Sequence, residues 1–392
     1  MAARRRPWTW LHPDWPRFAY DDKAVSAELA RAYRLHGIME GKAAAIGLTG
    51  TSDVALAAMT DEVQATAAIE GQRLALDAVR SSVMRKLGLD ASGPVDRSVD
   101  GLVAVITDAT TTPHQPLDAD RLCRWQSALF PGGTSGIKRI AVGRFRDHES
   151  PMQIVGGQPG REIVHYEAPP SRDVPAQMDL FLAWFNATAP AQGAPAPLDG
   201  LARAALAHLW FESIHPFEDG NGRIGRAIVD MALAPHLGTP VRLVSLSRQM
   251  LDSRADYYAH LNASQRGGLD ATPWVRWFAQ MCAAAYARAG DTIDLALLKR
   301  GFLEQPGASN LNDRQRKVLQ RLLDDGDGGF LGGMNAEKYM KMTDASKATA
   351  TRDLADMVRR ELLWTAGEGK ALRYYANMPG WTHGVERDEA AG

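Results

Sequence analysis

One stretch constrains this chain more than any other: His215-Pro216-Phe217-Glu218-Asp219-Gly220-Asn221-Gly222-Arg223-Ile224-Gly225-Arg226. An apolar, helix-like run precedes it (Leu201 to Ile214), and another follows (Ala227 to Leu237). A core has no use for a histidine, two carboxylates, three glycines, an asparagine and two arginines packed between two helices. A loop that handles phosphate does. Successive amides in a Gly-Asn-Gly turn form an anion-binding nest, and a helix starting there adds its unpaired N–H groups and the positive end of its dipole. His215, partly unprotonated at neutral pH, is suited to remove a proton from an attacking hydroxyl. Asp219 is a hard oxygen ligand of the kind Mg²⁺ takes alongside substrate phosphates. The turn Gly220–Gly222 offers backbone donors to developing negative charge. Arg223 and Arg226, three apart on the following helix, are suited to clamp phosphate oxygens. Spacing alone supports an anion site with a base beside it.

Other chemistries are absent or weaker. The chain has no G-x-x-x-x-G-K-[ST] loop, no G-x-G-x-x-G run and no G-x-S-x-G elbow. His208, Glu212 and His215 have the spacing of metal ligands on one helical face. Pro216 breaks the helix at the last of them, which argues against a metal site and for Glu212 as a carboxylate that orients the loop.

The 392 residues suffice for two or three domains, and a 45% hydrophobic, 23% charged composition is that of a globular protein. A net charge of -1 gives no global field for nucleic acid or membrane. Two cysteines, Cys123 and Cys282, argue against a disulfide framework and fit a reducing compartment. No apolar segment follows the basic start and no run is long enough to span a bilayer, so the expectation is a cytoplasmic protein without membrane contact.

In chain order, a Trp/Pro-rich segment (8–20) is expected to dock irregularly on a neighbour. Helices follow over 21–46, 53–69 and 74–87, with a loop at 48–52. Thr66 and Glu70 share a face near the end of the second helix, where a carboxylate opposes the dipole and calls for a cation. Residues 94–112 read equally as helix or strand; 117–130 read as a helix capped by Asp118. Strand-like 152–155 and 162–166 flank GGQPGR, a hairpin signal. The hairpin is either structural or a flap that aligns an extended substrate by strand addition. Helices are expected over 174–186, 247–263 and 273–298, with a loop at 188–200, an extended piece at 241–246 and a linker at 301–309. The remainder, three helices (313–325, 336–342, 346–363) and two short strands, has the order of a winged helix-turn-helix. From Asp313 to Arg373, 12 Lys/Arg against 10 Asp/Glu is weak support for DNA binding.

The 215–226 stretch resembles the signature of the Fic family, His-x-Phe-x-[Asp/Glu]-Gly-Asn-Gly-Arg-x-x-Arg, at every defining position. Thr66-Ala-Ala-Ile-Glu70-Gly71 resembles the family's inhibitory motif, [Ser/Thr]-x-x-x-Glu-[Gly/Asn], and the 152–166 hairpin falls where the family carries its flap. The resemblance implies a mostly α fold: an N-terminal helical extension (1–90), a helical Fic core with a β-hairpin flap (91–300), a winged helix-turn-helix (301–380) and a tail (381–392). It implies transfer of AMP from ATP to a Ser, Thr or Tyr hydroxyl of a target protein. His215 would be the base, Asp219 would hold Mg²⁺, and Gly220, Asn221, Gly222, Arg223 and Arg226 would bind the phosphates. Tyr257 and Tyr258 are candidates for the adenine side, with a core role expected for at least one. Glu70 would pair with Arg226 and close the site. The same residues would serve removal of AMP, and a DNA-binding regulator with a nucleotide-sensing pocket is a third reading. Self-modification and a homodimer stay open.

Overall fold

The computed structural model describes residues 7–45, 47, 53–158, 161–190, 196–236, 243–327 and 332–384. Its secondary structure is helical, with three two-stranded hairpins. Two compact units divide between Asp291 and Thr292.

The first unit is built around α7 (Gly200–Ile214), whose residues are all buried. A helix apolar on every side must be enclosed by others. Asp199 starts it, its carboxylate accepting from the amides of Leu201 and Ala202. Before it in the chain come α1 (Asp22–Ala45), α2 (Asp53–Ile69), α3 (Leu76–Lys86), α4 (Arg97–Thr111), α5 (Ala119–Leu129) and α6 (Val174–Ala187), the last of which packs directly on it. Phe181 of α6 packs with Trp210 and Phe211 of α7 and with Phe185 on its own helix. The ambiguous 94–112 segment is thus helix, started by Asp96, and Asp118 caps α5 as expected. Hairpin β1–β2 (Thr134–Ser135 and Lys138–Arg139) precedes the larger hairpin β3–β4 (Gln153–Gln158 and Arg161–Glu167).

Several boundaries differ from expectation. The helix after the central turn, α8 (Asn221–Leu233), carries Arg223 and Arg226 as expected, starting inside the polar stretch because Gly220 at φ 91° turns the chain directly into it, but it ends before Leu237. A 3₁₀ turn follows at Ala234–His236. The loop at 48–52 lies outside the described residues, as do parts of the 188–200 loop and the 241–246 piece. The single helix expected over 247–263 is two, α9 (Leu246–Asp252) and α10 (Arg254–Ser264). They break at Ser253, whose hydroxyl donates to the Gln249 carbonyl at 2.8 Å, the local competition that makes serine a poor mid-helix residue. Helix α11 (Thr272–Glu304) runs through the start of the expected 301–309 linker, and Pro306 then opens a 3₁₀ turn. Among the described residues no helix is long and apolar enough to cross a membrane.

The second unit holds α12 (Asp313–Asp324), α13 (Ala336–Thr343), α14 (Lys347–Arg359) and the hairpin β5–β6 (Leu363–Ala366 and Arg373–Ala376). Helix α14 ends before the expected 363, with Glu361 at φ 60° turning the chain into β5. Its core includes Leu319, Leu322, Tyr339, Leu354, Met357 and Tyr374. Asp353 is buried but paired, receiving the Tyr339 hydroxyl at 2.8 Å and Arg314 at 3.0 Å.

Candidate active site

Helix α7 ends at His215, in the left-handed region at φ 51°, and its amide closes the last turn onto the Phe211 carbonyl. This strained exit is held by Arg146, which is 2% exposed. Its Nε donates to the His215 carbonyl (2.8 Å), Nη2 to the carbonyls of Pro169 (2.6 Å) and Ile214 (3.2 Å), and Nη1 to the Ser171 hydroxyl (2.9 Å). The Arg146 amide also reaches the Pro216 carbonyl at 2.9 Å. Burial lowers the pKa of this guanidinium to about 10, and its neighbours are nearly all neutral oxygens. Arg146 carries no motif, and nothing in its glycine-rich surroundings singles it out in the sequence. Hydrogen bonds to a charged group contribute about 1.5–3 kcal/mol each, and buried acceptors left unpaired cost more. Arg146→Met is therefore expected to destabilise the protein by about 3 kcal/mol or more, read as a lower denaturant midpoint.

The turn is stapled from within. Asn221 accepts from the Phe217 amide at 2.9 Å and donates to the Phe217 carbonyl at 2.8 Å, so its side chain is committed to the loop and what it offers an anion is its main-chain N–H. Phe217 is fully buried beside Phe145, an anchor rather than a participant. Helix α8 leaves its first amides without intrahelical partners at Asn221–Arg223. Asp219 faces them half-buried; its Oδ1 lies 3.3 Å from Arg223 Nη2 and its Oδ2 accepts from the Ser135 hydroxyl on β1. Ser135 went unnoticed in the sequence because only the fold brings it 84 residues along the chain to the turn.

Both arginines are buried, Arg223 at 5% and Arg226 at 3% exposure. Arg223 lies 4.8 Å over the Phe130 ring and donates to Gln72 Oε1 at 3.3 Å. Arg226 is held from α2: its Nε donates to Thr66 Oγ1 (2.6 Å), and its Nη2 to the Thr66 carbonyl (3.0 Å) and Glu70 Oε1 (2.8 Å). Burial works against the charge of Arg226, but Glu70 outweighs it and holds the pKa above the ordinary arginine value. A Cβ on Gly222 would overlap Glu70 Oε1. The carboxylate therefore rests on the first turn of α8, over the residue that has no side chain to keep it away. An anion already sits on the anion-binding turn, and it belongs to the protein.

The His215 ring is 15% exposed, with Nδ1 3.6 Å from Glu212 Oε2. Burial of Glu212 pushes its pKa up, yet His215 and His208 more than offset this and hold it below the usual carboxylate range. His208, on the same face of α7, is fully buried; burial lowers its pKa, and its Nε2 shares a 2.9 Å hydrogen bond with the Tyr257 hydroxyl. Tyr257 stacks on His208 near Trp274 and takes the expected core role. Tyr258 remains partly exposed, its hydroxyl 3.5 Å from the Ile69 carbonyl on the helix that carries Glu70. Gly225, a variable position in the signature, lets α8 lie against this pair: a Cβ there would overlap Glu212 Oε1 and come within 3.1 Å of the His208 ring. Gly225→Ala is expected to cost about 1–3 kcal/mol through overpacking, measured by thermal unfolding.

The β3–β4 hairpin is anchored from the Trp-rich segment and from α7. The Tyr166 hydroxyl donates to the Ser213 carbonyl at 2.6 Å, and Trp8 packs edge-on against Tyr166 at 5.3 Å. Trp10 Nε1 donates to the Glu167 carbonyl at 2.7 Å, and Arg266, 4.1 Å over the Trp8 ring, donates to the His165 carbonyl at 2.8 Å. Val155 and Ile163 stay exposed on this hairpin.

The family model for the Fic/DOC family matches residues 116–233, and that of a domain of unknown function (DUF4172) matches residues 8–89. Among curated proteins, the chain is similar to protein adenylyltransferase fic-1 of Caenorhabditis briggsae, 35% identical over 125 residues, covering 32% of this chain and 22% of the relative. It is also similar to protein adenylyltransferase Fic of Nematostella vectensis, 26% identical over 215 residues, covering 54% of this chain and 44% of the relative. The chain thus spans less than half the length of either curated relative. Its fold is similar to that of a Fic family protein from Desulfovibrio desulfuricans, with a TM-score of 0.52, 21% identity, and coverage of 89% of this chain and 95% of that one.

Proposed function

We propose that this chain, which carries a Fic/DOC family domain, transfers AMP from ATP to a hydroxyl side chain of a protein and is held inactive by its own Glu70. The observation that carries this reading is the Glu70 carboxylate, lying against Gly222 while paired to Arg226 at 2.8 Å. Phosphates bound on the turn would meet the amides of 220–222 together with Arg223, and Arg226 would face the leaving end.

In the transfer, the target hydroxyl oxygen bonds to the α-phosphorus. The bond from that phosphorus to the bridging oxygen breaks, and pyrophosphate leaves with the electron pair. The hydroxyl proton goes to His215. Its Nδ1 faces Glu212, which leaves Nε2 as the proton acceptor and Glu212 as the counter-charge to the imidazolium that forms. The donor set suits Mg²⁺: one partly exposed carboxylate, Asp219, with a hydroxyl, Ser135, beside it, to be completed by substrate phosphates. When bound, the ion would neutralise phosphate charge next to Arg223. The β3–β4 hairpin, with Val155 and Ile163 exposed, is suited to align the target segment. Tyr258, rather than the buried Tyr257, is the candidate for the adenine side.

Removal of AMP from a modified protein is a second reading, supported by the same carboxylate, which lies close enough to the turn to orient a water. Incubating the protein and Glu70→Gly with Mg²⁺ and each of ATP, GTP, CTP and UTP, followed by mass spectrometry of the protein, tests both. AMP incorporation from ATP, greater in the variant, supports transfer. No incorporation from any nucleotide, with release of AMP from a pre-modified protein that depends on Glu70, would favour the reverse reaction.

A further inference from the structure

The helix that carries Glu70 is gripped at a second place, away from the turn. Glu62 on α2 is 1% exposed, and its carboxylate accepts from three donors at the start of α9: the Ser247 amide (3.0 Å), the Ser245 hydroxyl (2.9 Å) and the Ser247 hydroxyl. Beside it, Arg248 Nε donates to Asp61 Oδ1 at 2.7 Å. A carboxylate is tolerated at such depth only where its oxygens are satisfied, and here α9 supplies the donors. Glu62 lies outside the 66–71 motif and precedes Glu70 by eight residues, about 12 Å along the helix. Side chains at 62, 66 and 70 fall within a quarter turn of one another. The first of them binds α9, and the other two bind Arg226 on α8.

We propose that Glu62 is the positioning residue of the closure: by fixing α2 to α9 it sets where the Glu70 carboxylate falls on α8. The inference rests on the reading of Glu70 as the closing group and adds that the closure is set from α9. The two grips differ in kind. Arg226 is a long side chain that can follow a shifted helix, so its bonds to Thr66 and Glu70 do not by themselves fix the register of α2. The Ser247 amide belongs to the backbone of α9, and a charge-assisted bond from it to a buried carboxylate holds one geometry. They also differ in depth. The Glu70 side chain is 31% exposed and precedes Gly71, whose φ of 77° ends the helix, whereas Glu62 is enclosed. Phosphates entering the turn therefore need to displace only the last turn of α2, while Glu62 keeps the remainder in place for reclosing. Losing Glu62 opens the site although Glu70, Arg226 and the turn are all intact.

AMP incorporation with Mg²⁺ and ATP, measured on the full chain beside hydrogen exchange of the α2 amides, tests this. Glu62→Ala is expected to raise incorporation at least about fivefold. Ser247→Ala, which removes one contact from the α9 side and keeps the amide, should give a smaller gain in the same direction and serves if Glu62→Ala does not fold. In the Glu70→Gly background Glu62→Ala should change the rate by less than about twofold, because both act through one carboxylate. Glu62→Gln keeps an acceptor for the Ser247 amide and should stay within about twofold of the native chain. Exchange over 66–71 should quicken in Glu62→Ala with that of α7 unchanged, even though alanine favours helix more than glutamate does. A gain from Glu70→Gly with none from Glu62→Ala or Ser247→Ala would overturn the inference and leave the transfer reading standing. So would an equal change in both backgrounds, which a merely structural role produces. Should Glu70→Gly itself gain nothing, the closing role falls, and exchange decides the anchoring: faster over 66–71 upholds it, unchanged overturns it.

Discussion

Glu70→Gly is expected to raise AMP incorporation from ATP by roughly 5- to 150-fold, the span that a coupling of about 1–3 kcal/mol produces. The carboxylate occupies the first turn of α8 and Arg226 at once, so removing it frees both the amides and the cation that phosphates would use. The gain should come with a lower unfolding temperature, because Arg226 is 3% exposed and loses its only close carboxylate among the described residues. The fold should survive. Arg226 keeps the Thr66 hydroxyl and carbonyl as acceptors, and the Glu70 side chain, 31% exposed, leaves room for water to enter. Radiolabel transfer measured alongside thermal unfolding reads both effects. An unchanged rate with a lowered unfolding temperature would make Glu70 a structural counter-ion and nothing more.

His215→Ala is expected to reduce transfer by roughly 10²- to 10⁴-fold, the usual contribution of a positioned general base. The loss should be in kcat, with nucleotide affinity little changed, because the imidazole is placed to take a proton rather than to hold a phosphate. Alanine removes a ring that is 15% exposed and whose nearest charge is Glu212 at 3.6 Å. Stability should therefore hold apart from one consequence: Glu212, no longer facing His215, loses part of what keeps its pKa below the usual range. A variant with normal kcat would remove His215 from the chemistry. Comparison of single-turnover rates in the Glu70→Gly background keeps the measurement clear of the closed state.

A helix with an apolar stripe and a recognisable side-chain cap, such as α5 from Asp118, was legible in the sequence, whereas the apolar run of α4 read equally as strand until the structure showed Asp96 starting it. Helix α8 was legible only in part: its first turn, polar and glycine-rich and also the site, has no apolar stripe to fix where the helix begins. The break at Ser253 was hidden because one serine hydroxyl turning back on a carbonyl leaves no trace in hydrophobic periodicity. For the site itself, the 215–226 stretch and Thr66–Gly71 could be read as local patterns, and the structure brings them together through Arg226. Arg146, Ser135 and Gly225 could not be read in the same way. Arg146 acts through carbonyls 23 to 69 residues away, and Ser135 meets Asp219 only after the chain has folded. Gly225 matters for the side chain it lacks against Glu212 and His208. Each of these is a tertiary contact with no sequence period of its own.

The central claim is that a working transferase site lies closed beneath Glu70. Intact-mass spectrometry of Glu70→Gly beside Glu70→Gly/His215→Ala, both incubated with Mg²⁺ and ATP, tests it most directly. The account predicts adenylyl adducts on the single variant and none on the double. Adducts on both, or on neither even with candidate target proteins supplied, would contradict it.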